Sequence, residues 1–523
     1  MNWWDILGWV LNVFAAYYGL LAVITMFLVI VAAWAGWARN SALRVDVGSV
    51  LENSPLAPGV GIIVPAHNEE ATICACVESF LRLRYPNFEV VVVNDGSKDG
   101  TIQALHTGFD LVEVPPSHDL PLATKPVKAI YRSRVMPNLL VIDKENGGKS
   151  DAINVGVNHT MMELICVVDA DSLIESDALL RIVEPFAMNP GSTIAGGGSI
   201  RIANGITFDG GEPTHVNLPK ERVPRYQVLE YLRSFMLARL PFGRMNASVI
   251  ISGAFGLFRR KEMLEVDGYD TNTIGEDAEL SVRMQRHMKE QGLDYEIAFV
   301  PDAVCWTECP PSTKVLSRQR ARWHQGLCEF LWRHRKMMAR PKYGIVGMFG
   351  LMFYLLFECL GPGVELVASI IAVFLWLIDY INTPMLILLT VGSILLGLVQ
   401  SFGALMIDGL YFRRIPRLGQ MLRLGAESLI EMVSYRWMTL WWRLKGGVQW
   451  MKGTHSWGTM ERAGLATAAG AAAAGRRLGP ARSLAGAGAA RAALEIAAAL
   501  EEEAFAGGVT IPGTQSIQRA ATR

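Results

Sequence analysis

The stretch Val60-Gly61-Ile62-Ile63-Val64, followed after the helix-like segment Glu69 to Leu83 by Glu89-Val90-Val91-Val92-Val93, decides the fold. Two β-branched runs about thirty residues apart, with a helix between them, have the spacing of a βαβ unit, because parallel neighbours need a long crossover. Leu139 to Ile142 and Leu164 to Val168 are further strand-like runs, separated by the helix-compatible Lys149 to Met161. The alternation predicts an open α/β sheet.

Working outward, the flanks are apolar. Ile6 to Ala38 runs almost without charge, and about 20 such residues cross the hydrocarbon layer. Trp3, Trp4 and Asp5 precede it where a cleaved leader would be basic, so a retained span is expected. Arg39 and Arg44 follow, which puts the N-terminus outside and the rest on the cytoplasmic side. A second apolar region covers Tyr343 to Phe412, broken at Gly361-Pro362-Gly363 and Asn382-Thr383-Pro384. Segments 363–380 and 385–411 are each expected to span, while 344–360 lies along the interface. A further crossing would put Arg413, Arg414, Arg417 and Arg423 outside, against the charge rule. Segment 425–444, with Glu427, Glu431, Arg436 and Arg443, is open between an interfacial helix and a polar span, giving three to five spans in all.

The sequence thus divides into an N-terminal membrane helix and linker (1–44), a cytoplasmic α/β domain (45–340), interfacial and membrane helices (341–460), and an Ala/Gly-rich tail (461–523) expected to be disordered apart from a short helix at 488–505. With 49 basic and 49 acidic residues, the chain is too neutral for an electrostatically driven nucleic-acid partner. Seven cysteines without paired CxxC spacing predict neither a zinc site nor a disulfide frame, in keeping with a reducing cytosol.

Open parallel sheets bind ligands beyond the carboxyl ends of their strands. Three such ends are acidic: Asn68-Glu69, Asn94-Asp95, and Asp169-Ala170-Asp171. Any one is readily a strand end or helix cap; three together point to a site. Two carboxylates at i and i+2 suit Mg2+ or Mn2+ and a substrate diphosphate. Asn146-Gly147-Gly148-Lys149-Ser150 resembles a phosphate loop, but position 143 is Asp where the Walker pattern needs glycine, so an NTPase loses its support and Lys149 remains as one cation near the metal. Glu276-Asp277 opens a helix, where acids are favoured by the dipole, yet an Asp facing a cleft can also accept a proton. Gln319, Arg322 and Trp323 share a helical face, offering a phosphate fork and a flat apolar plate; the competing reading is a basic juxtamembrane helix drawn to anionic lipid.

Taken in order, Asp95, Asp169-x-Asp171, Glu276-Asp277 and Gln319-Arg320-Ala321-Arg322-Trp323 resemble the D, DxD, ED, Q(Q/R)xRW series of the processive family 2 glycosyltransferases, the cellulose, chitin, hyaluronan and poly-N-acetylglucosamine synthases. The resemblance covers 59–335, and Cys305-Trp306 to Trp323 is most similar to the poly-N-acetylglucosamine type. It implies an α/β GT-A domain with a mixed, mainly parallel sheet, embedded between transmembrane and interfacial helices of a cytoplasmic membrane. It implies that Asp95 holds the uridine with Asn68 and Glu69 nearby, Lys149 meets the diphosphate, and Asp169 and Asp171 serve nucleotide and metal. Asp277 would be the general base. Gln319, Arg322 and Trp323 would close over the nucleotide diphosphate and the acceptor end, and Ser252-Gly253-Ala254-Phe255 would line the acceptor path. Gly275-Glu276-Asp277 departs from the Thr-Glu-Asp of cellulose synthases, and the tail lacks the motifs for cyclic-di-GMP control.

The expected reaction is inverting transfer of a hexose, N-acetylglucosamine by preference, from a UDP-sugar to a growing polysaccharide beside the lipid bilayer. A homo-oligomer or an export partner would complete a polymer channel. The alternatives are a UDP-glucose-dependent β-glucan synthase, single-sugar transfer to a lipid phosphate, and a catalytically silent membrane scaffold.

Overall fold

The computed structural model describes residues 3–41, 47–115, 120–209, 211–412 and 417–453. The expectations for the 461–523 tail, Arg44, Arg413 and Arg414 lie outside the described residues. In chain order the strands are β1 (Val60–Ala66), β2 (Phe88–Asp95), β3 (Leu111–Val114), β4 (Val127–Ser133), β5 (Leu139–Lys144), β6 (Leu164–Val168), β7 (Ser172–Ile174), β8 (Thr193–Ile202), β9 (Thr207–Asp209), β10 (Glu212–His215), β11 (Phe255–Arg259) and β12 (Glu296–Thr307). One ten-stranded sheet runs β3-β4-β5-β2-β1-β6-β11-β8-β12-β7, and β9 and β10 form a separate hairpin.

The sheet is mixed, with its parallel part at the centre. β5, β2, β1 and β6 are parallel neighbours, whereas β11 runs antiparallel between β6 and β8, and β4 and β7 are antiparallel to their neighbours toward the edges. The central strands read as continuous β-branched runs because both of their faces are covered. Val60, Ile62, Val64, Val90 and Val92 pack into one apolar layer and Ile63, Val91, Val93 and Val167 into the other, as the two-residue period of a strand requires. The helix between β1 and β2 is Ile73–Leu81, starting later than expected. Asn68 has φ 58°, so the chain must turn sharply after β1 before a helix can begin.

Trp3–Ser41 is a single 39-residue helix. Among the described residues, two helices are long and apolar enough to cross a membrane, Leu7–Arg39 and Thr383–Phe412. The expected independent span at 363–380 is corrected: Gly361–Leu377 has only 17 residues and forms a pair with Val346–Cys359 across a 44° bend. Pro362 at its start lacks an N–H and cannot continue the preceding helix, which is the cause of the break. Counting the pair as one span gives three.

Segment 425–444 straddles two helices, Leu418–Val433 and Tyr435–Met451. Its carboxylates face the catalytic domain. Glu427 pairs with Arg225 at 3.0 Å, Glu431 accepts from Arg233 Nη1 at 2.7 Å, and Asp408, fully buried, pairs with Arg201 of β8. Each charge is removed from water and compensated by its partner.

Candidate active site

The parallel register sets the carboxyl ends of β5, β2, β1 and β6 side by side. Asp95 pairs in register with Lys144, and Asn94 with both Ala66 and Asp143. The acidic ends found in the sequence therefore line one edge of the sheet, the position where open α/β sheets take ligands.

Asp95 is 3% exposed, and its carboxylate is spent on the glycine-rich loop. Oδ1 accepts from Lys144 Nζ at 2.7 Å and from the Gly147 N–H at 2.8 Å. Oδ2 accepts from the Gly148 N–H at 2.8 Å and from the Asn146 side-chain amide at 3.2 Å. Lys144 also pairs with Asp151 at 2.6 Å, so one buried cation joins two carboxylates. The loop needs both glycines: Gly148 has φ 89°, and a Cβ on Gly147 would strike the Asp151 carboxylate. Lys144 and Asp151 were not among the residues singled out from the sequence, and Asn146 entered only as the start of the glycine-rich segment. Asn68 belongs to the same edge, its Oδ1 accepting from the Lys98 N–H at 2.8 Å and its N–H donating to Ser97 Oγ at 3.0 Å. Glu69 donates its N–H to Thr101 Oγ1 at 2.9 Å and accepts from Thr72 at 3.0 Å.

The loop leads directly into Lys149, which draws three motifs together. Its Nζ lies 2.5 Å from Asp169 Oδ1 and 3.3 Å from the Gly253 carbonyl oxygen. The Gly253 N–H donates to Asp277 Oδ2 at 3.0 Å, while Oδ1 accepts the Ala278 N–H at 2.8 Å. Lys149, Asp169, Gly253 and Asp277 therefore form one connected network. Burial works against the Lys149 cation, but Asp169, Glu276 and Asp277 outweigh it and hold its pKa above the usual lysine value. Burial pushes the Glu276 carboxyl up to about 7; Lys149 and Arg322 oppose that shift and Asp277 adds to it. Asp171, two residues beyond Asp169, is half-buried at the same strand end.

The helix Thr313–Arg333 approaches through a glycine contact. Gly326 lies against Gly275 so closely that a Cβ on it would come within 3.0 Å of the Gly275 backbone. Arg322 stands one turn before Gly326, which brings its charge to Glu276. Arg320 is buried, donating to Glu230 at 2.9 and 2.8 Å and to Gln319 Oε1 at 2.6 Å. Its guanidinium also stacks 4.2 Å from the centroid of Trp323, whose other neighbour is Tyr231 at 6.4 Å. Trp323 remains 45% exposed, leaving much of its surface available to a ligand. Gln319 and Trp323 thus make contacts with Arg320 and Tyr231, whereas the Arg322 charge acts on Glu276.

Against the expectation from cysteine spacing, His324, Cys328 and Cys359 converge, each with one ligand atom within 4.8 Å of the others. Their sequence positions hide this, because Cys359 comes from a different helix, 31 residues after Cys328.

A family model described as glycosyltransferase-like family 2 matches residues 128–326, and one described as glycosyl transferase family 2 matches residues 61–114. The poly-β-1,6-N-acetyl-D-glucosamine synthase of Staphylococcus epidermidis is 29% identical over 275 residues, covering 53% of this chain and 56% of that protein. The synthase of the same name from Staphylococcus aureus is 27% identical over 276 residues, with the same coverage of each chain. The chain thus spans just over half the length of these relatives. Among solved structures, a mannosyltransferase of Pyrobaculum calidifontis in complex with GDP-Man and Mn2+ aligns with a TM-score of 0.46 at 17% identity, covering 83% of this chain and all of that one.

Proposed function

We propose, for a chain that belongs to the family 2 glycosyltransferases, an inverting transfer of N-acetylglucosamine from UDP-N-acetylglucosamine to a growing β-linked polysaccharide, repeated on the same acceptor. The observation that carries this reading is the network Asp169–Lys149–Gly253–Asp277, which links a carboxylate suited to the diphosphate end with one suited to the acceptor end. The likeness to the staphylococcal synthases supports the choice of sugar.

In this mechanism the Asp277 carboxylate takes the proton of an acceptor hydroxyl, whose oxygen attacks the anomeric carbon opposite the diphosphate. Lys149 and Arg322 balance the charge that develops on the leaving group. Asp95 serves the nucleoside through the Asn146–Gly148 loop that it fixes, with Asn68 and Glu69 on the same edge. Gln319 and Trp323 contribute a polar group and a flat surface for the acceptor end. The oxygen donors of Asp169 and Asp171 fit a hard cation, Mg2+ or Mn2+, while His324, Cys328 and Cys359 do not. Bound there, such an ion would supply further compensation of diphosphate charge. Arg39, in the last turn of the first apolar helix, supports a cytoplasmic position for the site, where UDP-sugars are available.

The test is the full chain in detergent or nanodiscs with a panel of UDP-sugars, recording released UDP and product mass. Release from UDP-N-acetylglucosamine with a product ladder is expected. Release from UDP-glucose alone would overturn the sugar assignment, and no release from any donor would overturn the enzymatic reading.

A further inference from the structure

Outside the nucleotide cleft, two thiols and an imidazole meet in a place that glycosyl transfer does not use. His324 and Cys328 stand one turn apart on Thr313–Arg333 and are 5% and 6% exposed. Cys359 ends the helix that precedes the 44° bend of the membrane pair. The two Sγ atoms are 3.3 Å apart. All three ligand atoms fall within 4.8 Å of one another.

The distances discriminate between the two chemistries open to such a pair. A disulfide needs sulfurs about 2.05 Å apart, so these would have to close by roughly 1.3 Å. Two thiolates on a tetrahedral zinc, with Zn–S of about 2.3 Å, stand about 3.8 Å apart, an opening of only ~0.5 Å. The buried imidazole also has a part in a metal site and none in a disulfide. Arg443 borders the cluster: its Nε donates to His324 Nδ1 at 3.5 Å, and its Nη2 is held by Glu358 Oε2 at 2.9 Å. A guanidinium at this point favours thiolates over thiols.

We propose that His324, Cys328 and Cys359 form a binding site for a thiophilic divalent cation of the zinc class, separate from the oxygen donors of Asp169 and Asp171. Binding forms two metal–sulfur bonds and one metal–nitrogen bond, releases the two thiol protons to solvent, and involves no change of oxidation state. Water completes the tetrahedron. The site ties the helix that carries Gln319, Arg322 and Trp323 to the bent membrane pair, and so fixes the spacing between them.

The probe is Co2+, added to the full-length protein after chelation and in a non-thiol reductant. One equivalent should produce the thiolate-to-cobalt charge-transfer absorption, and Zn2+ should displace it. Cys328→Ser and Cys359→Ser should each lose or strongly weaken the band, whereas Asp171→Asn should keep it, which separates this site from the proposed catalytic one. Alkylation of the unaltered protein gives a readout independent of variant folding: Zn2+ should protect Cys328 and Cys359 and leave Cys74 reactive. Absence of both band and protection, or a band that survives in both serine variants, would overturn the proposal. So would isolation of a Cys328–Cys359 disulfide in protein that takes up no cobalt even after reduction.

Discussion

Replacing Lys144 by methionine tests how the glycine-rich loop is held. The lysine is fully buried and its Nζ joins Asp95 at 2.7 Å to Asp151 at 2.6 Å. Methionine fills much of the same volume but removes the cation, leaving two buried carboxylates facing each other. Breaking a buried ion pair on one side costs about 3–5 kcal/mol. The lower end applies here, because Asp95 keeps the Gly147 and Gly148 N–H groups at 2.8 Å and Asp151 keeps the Lys125 N–H at 3.0 Å. With about 2 °C lost per kcal/mol in a domain of this size, the expected fall in Tm is ~6 °C at pH 8. Lys144→Met/Asp151→Asn should recover much of the deficit. Thermal unfolding of the three proteins in detergent at pH 8 measures this, with UDP affinity as a companion readout of the loop. A Tm within ~1 °C of the parent at pH 8, or no recovery in the double variant, would refute the reasoning.

Asp277→Asn should lower turnover by ~10²–10⁴-fold while leaving UDP affinity near that of the parent, as measured by UDP release and calorimetry. Asp171→Asn should instead abolish the Mn2+-dependent part of UDP binding, and chelation of the parent should do the same. Glu276 prefers its protonated form in the folded chain, so its contribution to stability is present below pH 4.5 and is lost as pH rises through about 7; Glu276→Gln should flatten that part of the Tm profile. Gly326→Ala places a methyl against the Gly275 backbone and should cost about 1–3 kcal/mol, with turnover reduced through displacement of Arg322. Retention of both Tm and rate in that variant would contradict the close helix approach.

How much was legible in the sequence depended on the range of the interactions. β1, β2, β5 and β6 could be read because strands covered on both faces must be apolar throughout. β8 could not, since Gly196-Gly197-Gly198 has poor strand character; the reason for Gly198 is tertiary, as a Cβ there would meet Phe255 and the Ala303 backbone. Acidic strand ends announced the site, because ligands gather there whatever the chemistry. Lys144 gave no such signal: it reads as the polar end of a strand until folding buries it between Asp95 and Asp151. The charges in 425–444 were ambiguous for the same reason, their partners Arg225 and Arg233 lying some two hundred residues away in the chain.

Those paired charges also bear on how the molecule can be handled. Arg201, Arg225 and Arg233 reach out of the catalytic half to Asp408, Glu427 and Glu431. Cutting the chain near residue 340 to obtain a water-soluble fragment would strand three arginines against an apolar wall that had lost its cover. Such a fragment would clump through the newly bared surface, so biochemical work on the isolated half requires either that the amphiphilic helices travel with it or that this seam be redesigned first.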